Sequence, residues 1–244
     1  MKDSLVIIPT YNEKENIARM VSELFSLSPE VHVLIIDDGS PDGTATIIID
    51  LQKQFPSRLF LAERSAKQGL GTAYILGFKW ALEKKYQYIF EMDADFSHPP
   101  KDLLRLHAEA LNGISVVIGS RYCRGGKVKN WPMGRILMSY FASVYVRNIT
   151  WMPVTDTTAG FVCYRKEFLE KLDFNKITFI GYAFQIEMKF AAWQLGFKIK
   201  EIPITFTDRV EGASKMSKGI FKEAILGVLK MKWKSLSQKN AYGK

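Results

Sequence analysis

The chain has 244 residues, 47% of them hydrophobic and 24% charged, with 17 Gly and 9 Pro. This composition excludes disorder, collagen and coiled coil, and a chain of this length hides roughly 70% of its unfolded surface without staples. The net charge of +9 is unevenly placed: residues 212–244 hold eight Lys against one Glu, and the other 211 residues sum to +2.

Short apolar runs alternate with helical patterns through the first half. Strands are predicted at Leu5–Ile8, Val31–Ile36, Arg58–Ala62, Tyr88–Met92 and Ile114–Ile118, with helices near 13–27, 43–54, 71–84 and 99–112. Asn12 followed by Glu15 reads as an N-cap with its capping box. Strands rich in Ile and Val, spaced by helices of this length, imply parallel βαβ units covered on both faces. Beyond residue 120 the alternation stops. Arg121–Asn130 is Gly-rich and basic, 133–151 is an apolar helix, and Gly160–Tyr164 and Ile199–Phe206 are strands around a helix at Tyr182–Leu195. The last segment, 217–236, is an amphipathic helix.

The longest stretches without Asp, Glu, Lys or Arg are 11 residues, Ile136–Val146 among them. As a helix that is about 16 Å against a hydrocarbon core of about 30 Å, so no membrane span is expected. The four apolar residues before Pro9 are too few for a signal-peptide core. Cys123 and Cys163 suit neither a disulfide framework nor a zinc knuckle, and a reducing cytoplasm is expected.

In a sheet of this kind the ligand sits at the carboxyl ends of the strands. The first strand ends in Pro9-Thr-Tyr-Asn-Glu13, the second in Asp37-Asp-Gly-Ser-Pro-Asp-Gly-Thr44, and the fourth in Asp93-Ala-Asp95. Carboxylates gathered there need a cation or donors. A turn after Met92 would bring Asp93 and Asp95 onto one Mg2+ or Mn2+, ions that complete their shells with substrate phosphates. Gly69 and Gly71 admit close backbone approach at a helix start, to a ligand or within a tight turn. His98 is read as structural.

These three blocks together resemble the nucleotide-sugar domain of family 2 glycosyltransferases with the GT-A fold. Gly119-Ser-Arg-Tyr122, Gly125-Gly126, Trp131-Pro132, Arg135, Ser139, Asp156, Gly160-Phe161, Gly181-Tyr-Ala-Phe-Gln-Ile-Glu-Met188, Glu201-Ile-Pro-Ile204, Asp208-Arg209 and Gly212-Ala-Ser-Lys-Met-Ser217 look like the polyprenyl-phosphate (dolichyl-phosphate) mannosyltransferases. The resemblance implies an α/β, Rossmann-like, mostly parallel sheet flanked by helices. It implies a single catalytic domain over residues 1–216 and a basic amphipathic helix or tail over 217–244. Pro9, Tyr11, Glu13, Ile36 and Asp38 would hold the donor nucleoside, with Ala94 and Lys215 also on the donor side, and Asp93 and Asp95 would hold the metal. Arg121, Arg135 and Ser139 would take the acceptor phosphate, with Asp95, Arg121 and Arg209 carrying catalysis. Ser97 stands where some members of the family place a Gln near the metal.

The implied reaction moves mannose from GDP-mannose to a polyprenyl monophosphate with inversion. A phosphate acceptor is already anionic and needs no general base. Two readings compete: the same acceptor with UDP-glucose or another donor, and a non-catalytic nucleotide-sugar or lipid-binding module. The apolar face Ile136, Leu137, Tyr140, Phe141, Val144 and Tyr145 is either core or a prenyl groove. The basic C-terminal stretch is a solvated tail, a helix docked on the domain, or a membrane-surface helix drawn to anionic lipid at about 1 kcal/mol per Lys. A peripheral location on the cytoplasmic face of a membrane follows, with room for a separate membrane subunit as partner. Nucleic acid is not an expected partner, because the folded body lacks both the charge and a reading motif.

Overall fold

The computed structural model describes residues 1–181, 183–208, 218–238 and 240–244, with the side chains of 218–225 outside that description. Four parallel strands form one half of a seven-stranded sheet: β1 (Ser4–Thr10), β2 (His32–Asp37), β3 (Leu59–Glu63) and β4 (Tyr88–Glu91). They are joined by α1 (Ile17–Leu27), α2 (Thr44–Gln54) and α3 (Leu70–Glu83). After α4 (Asp102–Leu111) come β5 (Val116–Ser120), the short β6 (Lys127–Lys129) and α5 (Met133–Thr150). β7 (Val162–Arg165), α6 (Lys166–Lys171), α7 (Ala183–Gln194), β8 (Ile199–Pro203), β9 (Thr205–Thr207) and α8 (Lys218–Ser237) complete the chain. The sheet order is β3-β2-β1-β4-β7-β5-β8, with β7 antiparallel to both its neighbours, and β6 pairs with β9 in a separate ribbon.

Both faces of the sheet are buried, which is why its strands read as unbroken apolar runs. Along β1, Leu5 and Ile7 enter the core beneath α3 and α7, and Val6 and Ile8 enter the one beneath α1, α2 and α4. No helix among the described residues is long and apolar enough to cross a membrane.

Four local expectations are corrected or settled. Asn12 is not an N-cap: it has φ 58°, and α1 starts five residues later, after Asn16. The reason is competition from the loop after β2. The Asn12, Glu13 and Lys14 amides donate to Ser40 Oγ, Thr44 Oγ1 and Asp42 Oδ2 at 2.9, 3.0 and 3.1 Å, so this segment belongs to the strand-end loops. The predicted strand Ile199–Phe206 breaks at Ile204 into β8 and β9, which join different sheets. The α5 face left open between core and prenyl groove is only partly core: Leu137, Tyr140 and Phe141 are exposed, Ile136, Val144 and Tyr145 are half-buried, and the residues the helix buries fully are Ser143, Val146 and Thr150. The chain end is not a solvated tail. Tyr242 is buried, Gly243 bridges Leu172, and Lys176 Nζ donates to the Gly243 carbonyl at 2.6 Å.

Candidate functional site

β1 and β4 are neighbours, and the carboxyl end of β4 lies mid-sheet, between the β1/β2 loops and the segment that follows β5. On the β1/β2 side the two adjacent acids have different surroundings. Asp37 is buried and accepts from Thr10 Oγ1, Ser40 N and Ser40 Oγ at 2.9, 2.8 and 2.6 Å, so it fastens the loop. Asp38 pairs with Arg64, whose Nε lies 2.6 Å from Asp38 Oδ1. Tyr11 carries the Lys67 ammonium 5.3 Å from its ring centroid.

β4 stops at Glu91, and the chain turns through Asp93-Ala-Asp95. Phe96 has φ 59°, a conformation that strains a bulky residue by about 1–3 kcal/mol. The Arg19 guanidinium stacks 4.5 Å from its ring and helps hold it. The turn puts both acids on one cavity wall. The Asp93 side chain is 40% exposed, whereas Asp95 is buried and takes the Ser97 amide on Oδ1 at 3.1 Å. The Asp93 amide donates to His98 Nδ1 at 3.2 Å, and His98 is stacked on Phe161. Burial lowers His98 to about 4, so it is neutral at pH 7 and serves as an acceptor for the turn. Among the described residues, Ser97 Oγ is buried without a partner beside Asp95.

Arg121 follows β5 and is almost fully buried. Its Nε and NH2 donate to Asp156 Oδ2 and Oδ1 at 2.7 and 2.6 Å, and NH2 reaches Thr158 Oγ1 at 2.8 Å. Burial raises the Asp156 carboxyl, and the adjoining Arg121 guanidinium more than offsets that, holding it below its usual range. Glu201 fixes the same loop from behind, accepting from Thr155 N and Asp156 N at 2.7 and 2.8 Å. Deeper still, the ammonium of Lys189 donates to the Ala159 carbonyl at 2.6 Å and the Gln185 carbonyl at 3.0 Å. Burial lowers Lys189 to about 8 and raises Glu91 to about 8. Arg135 opens α5, stacks 4.0 Å from the Trp131 centroid and donates to Asp208 at 3.1 and 3.3 Å.

These groups enclose a cavity of about 400 Å³. Asp93, Asp95, Ser97 and Arg121 form one part of its wall; Arg135, Ser139 and Asp208 form another. Met138, Phe141, Ala142, Tyr145 and Val146 of α5, with Leu70, Ile186 and Val228, add an apolar flank. Among the described residues no three His, Cys, Asp or Glu side chains form a metal cluster. Two carboxylates on a cavity wall suit a hard divalent ion that takes its remaining ligands from water and phosphate.

The structure thus brings Asp93, Asp95, Arg121, Arg135 and Ser139 around one cavity. Pro9, Tyr11, Glu13 and Asp38 lie at the ends of β1 and β2 without lining it. Ile36 is buried and faces Gly77 in the core, so what it can offer a nucleoside is backbone; Ala94 is buried as well. Arg209 and Lys215 lie outside the described residues. Gly69 and Gly71 are required by protein: a Cβ on Gly71 would sit 2.7 Å from the Phe184 ring and 2.9 Å from the Phe179 carbonyl. Arg64 and Lys189 went unrecognised in the sequence, and Glu201 entered only within a family block, with no role attached to it. Arg64 follows a strand end as Asp38 does, so the strand-end rule applied to β3 finds it; the other two carry no such signal.

The family model for glycosyl transferase family 2 matches residues 5–173. The chain is 45% identical over 225 residues to the polyprenol monophosphomannose synthase of Mycolicibacterium smegmatis, covering 92% of this chain and 85% of that one. It is 44% identical to the undecaprenyl-phosphate mannosyltransferase of Micrococcus luteus, covering 95% and 96%. Among solved structures it resembles the glucosyl-3-phosphoglycerate synthase of Mycobacterium tuberculosis in complex with Mn2+, UDP and phosphoglyceric acid. That likeness has a TM-score of 0.67 at 16% identity over 94% of this chain and 78% of that one, a likeness of fold. With a GT-A sheet, two acids at the mid-sheet strand end and close relatives along nearly its whole length, the chain belongs to glycosyl transferase family 2.

Proposed function

We propose that this chain transfers mannose from a nucleotide sugar, GDP-mannose, to a polyprenyl monophosphate with inversion at the anomeric carbon. The observation that carries the reading is the single cavity in which two carboxylates, two arginines and an apolar helix flank meet. The names of the two relatives support mannose and a polyprenyl phosphate. The nucleoside would rest at the ends of β1 and β2, near Tyr11 and Asp38, so that its diphosphate reaches Asp93 and Asp95. Mg2+ or Mn2+ held by those two acids would offset charge on the departing nucleoside diphosphate.

The acceptor phosphate would sit against Arg135, Ser139 and Arg121, its prenyl chain leaving along Met138, Phe141 and Tyr145. A guanidinium presents planar, permanent donors, which suits a phosphate that must approach a second anion. A phosphate oxygen attacks the anomeric carbon as the bond to the diphosphate breaks, and no proton has to be removed. The buried, neutral His98 is accordingly placed to hold the turn rather than to act as a base.

The outer face of α8 supports a peripheral place on the cytoplasmic side of a membrane. Val228 and Met231 are buried against the body, whereas Leu226, Leu229, Trp233 and Leu236 form a second, exposed apolar stripe. Leu226 and Trp233, which intrude on the polar side in a single-faced reading of the helix, belong to this stripe. Trp151 extends it from the end of α5, with the Lys232 ammonium 4.2 Å from its ring. Lysines flanking such a stripe favour an anionic bilayer over a membrane subunit.

The test is a donor panel against one short polyprenyl monophosphate, with Mg2+ or Mn2+. GDP-mannose should give labelled lipid, and Asp95→Asn or excess chelator should abolish it. Undiminished transfer in chelator, or none from any donor, would overturn the reading. Replacing Leu226, Trp233 and Leu236 with serine should release the protein from anionic liposomes; unchanged sedimentation would remove α8 from the membrane account.

A further inference from the structure

We propose that Gln185 contacts the transferred sugar, its side-chain amide donating an N–H to a sugar hydroxyl, and that Lys189 is the positioning residue that turns the amide that way. The inference rests on the reading of the reaction as sugar transfer from a nucleoside diphosphate to a lipid phosphate, and it adds the wall against which the sugar lies.

Gln185 stands in the first turn of α7, is 2% exposed and lines the cavity. Among the described residues, its Nε2 is buried without a hydrogen-bond partner. The other end of the amide is tied down. Lys189, one helical turn on and fully buried, donates from Nζ to the Ala159 carbonyl at 2.6 Å, the Gln185 carbonyl at 3.0 Å and Gln185 Oε1 at 3.4 Å. An ammonium has three donors and no acceptor, so only the oxygen end of the amide can face it. Nε2 is thereby turned away from Lys189. The Glu91 carboxyl is near enough for this amide to favour its ionised form. That engages at most one of the two N–H bonds of a primary amide. The other is left for a ligand, because a donor buried unpaired is costly.

The 156–160 loop shows what that ligand is. Asp156 and Thr158 hold Arg121, Ala159 sits on Lys189, and a Cβ on Gly160 would stand 3.9 Å from Gln185 Nε2 and 3.8 Å from His98 Cε1. His98 in turn holds the acid turn through the Asp93 amide. Gln185 therefore lies between the acids on the donor side and the arginine on the acceptor side. The group that passes from one to the other is the sugar. An uncharged N–H suits a hydroxyl oxygen, and Gly160, with no side chain, leaves room beside it.

The test measures kcat/KM for transfer to a short polyprenyl monophosphate from GDP-mannose and from analogues lacking one hydroxyl at a time, with calorimetric GDP binding alongside. The proteins are wild type, Gln185→Met, Lys189→Met, Lys189→Arg and Gly160→Ala. In wild type, loss of one particular hydroxyl should cost roughly fivefold to a hundredfold, the range for a buried donor left unpaired. In Q185M, mannose transfer should fall by a similar factor and removal of that hydroxyl should cost nothing further, while GDP binding is unchanged. K189M frees the amide to flip and should lose part of the same discrimination, whereas K189R should keep it. G160A places a methyl beside Nε2 and should slow transfer without weakening GDP. A Q185M that keeps every wild-type hydroxyl penalty would overturn the inference. So would an equal loss of GDP binding, a raised KM for lipid phosphate with the sugar penalties intact, or full-rate transfer by G160A. A folded K189M with wild-type penalties would remove Lys189 from the account. If wild type uses no nucleotide sugar, the functional reading fails, and this inference with it.

Discussion

Replacing Asp156 with alanine strips the buried Arg121 guanidinium of a bidentate partner. The pair has side-chain exposures of 9% and 0%, with contacts of 2.6 and 2.7 Å and a third bond from the Arg121 amide at 2.9 Å. Removing one member of a buried pair costs about 3–5 kcal/mol, because the other charge is left without compensation. For a chain of this size, at about 2–4 °C per kcal/mol, Tm should fall by about 6–20 °C. Replacing both partners with apolar residues, R121M/D156L, should recover most of that loss, since no orphan charge remains.

Stability against pH supplies a second readout of the same pair. The Asp156 carboxyl is held below its ordinary 3.8 in the folded state. Its contribution is therefore present above the unfolded pKa and lost as pH falls through the folded one. Urea denaturation followed by circular dichroism at pH 7 and down the acid limb measures both effects. The acid limb of Asp156→Asn should be flatter than that of wild type. A D156A loss below about 1 kcal/mol, or a double variant as unstable as the single, would refute the reasoning.

Two further outcomes follow from packing. A Cβ on Gly227 would clash with the edge of the Phe179 ring, at Cε1 and Cζ, where α8 crosses the segment leading to α7. Gly227→Ala should lower Tm, because overpacking of about 1–3 kcal/mol outweighs the gain of about 1 kcal/mol in helix propensity; an unchanged or raised Tm would show that the ring moves freely. Burial pushes the Cys163 thiol far up and the partly buried Cys123 thiol up as well. A thiol reagent at pH 8 should therefore label Cys123 alone, and slowly, in native protein, and both cysteines in denaturant; prompt double labelling would contradict this packing.

The strands of the large sheet were legible because a sheet buried on both faces leaves runs such as Leu5–Ile8 and Val33–Ile36 with no other use. The acids at the end of β4 were legible because the topology of such a sheet gathers its strand ends. What escaped depended on partners distant in sequence. The apolar stripe of α5 has the same spacing whether it faces core or solvent, and its outward turn is decided by how α8 and the segment after α5 pack. Asn12 has the chemistry of an N-cap, but Ser40 and Thr44, met only once β2 is paired, hold its segment in the loops. Glu201 follows Lys200 and Lys189 lies two residues after Glu187, so neither stands out from ordinary charged neighbours. Their roles rest on carbonyls and amides of the 155–159 loop, which no local spacing reveals.

The account turns on the two acids of the turn after β4 and the arginine-lined cavity acting on donor and acceptor together. This can be read from the 31P relaxation of a short prenyl monophosphate bound in the presence of Mn2+ and nucleoside diphosphate. Wild type should show strong paramagnetic broadening of the lipid phosphorus, absent when Mg2+ replaces Mn2+ and lost in Asp93→Asn/Asp95→Asn. A lipid phosphate that binds with its resonance unbroadened, or equally broadened without the two acids, would contradict it.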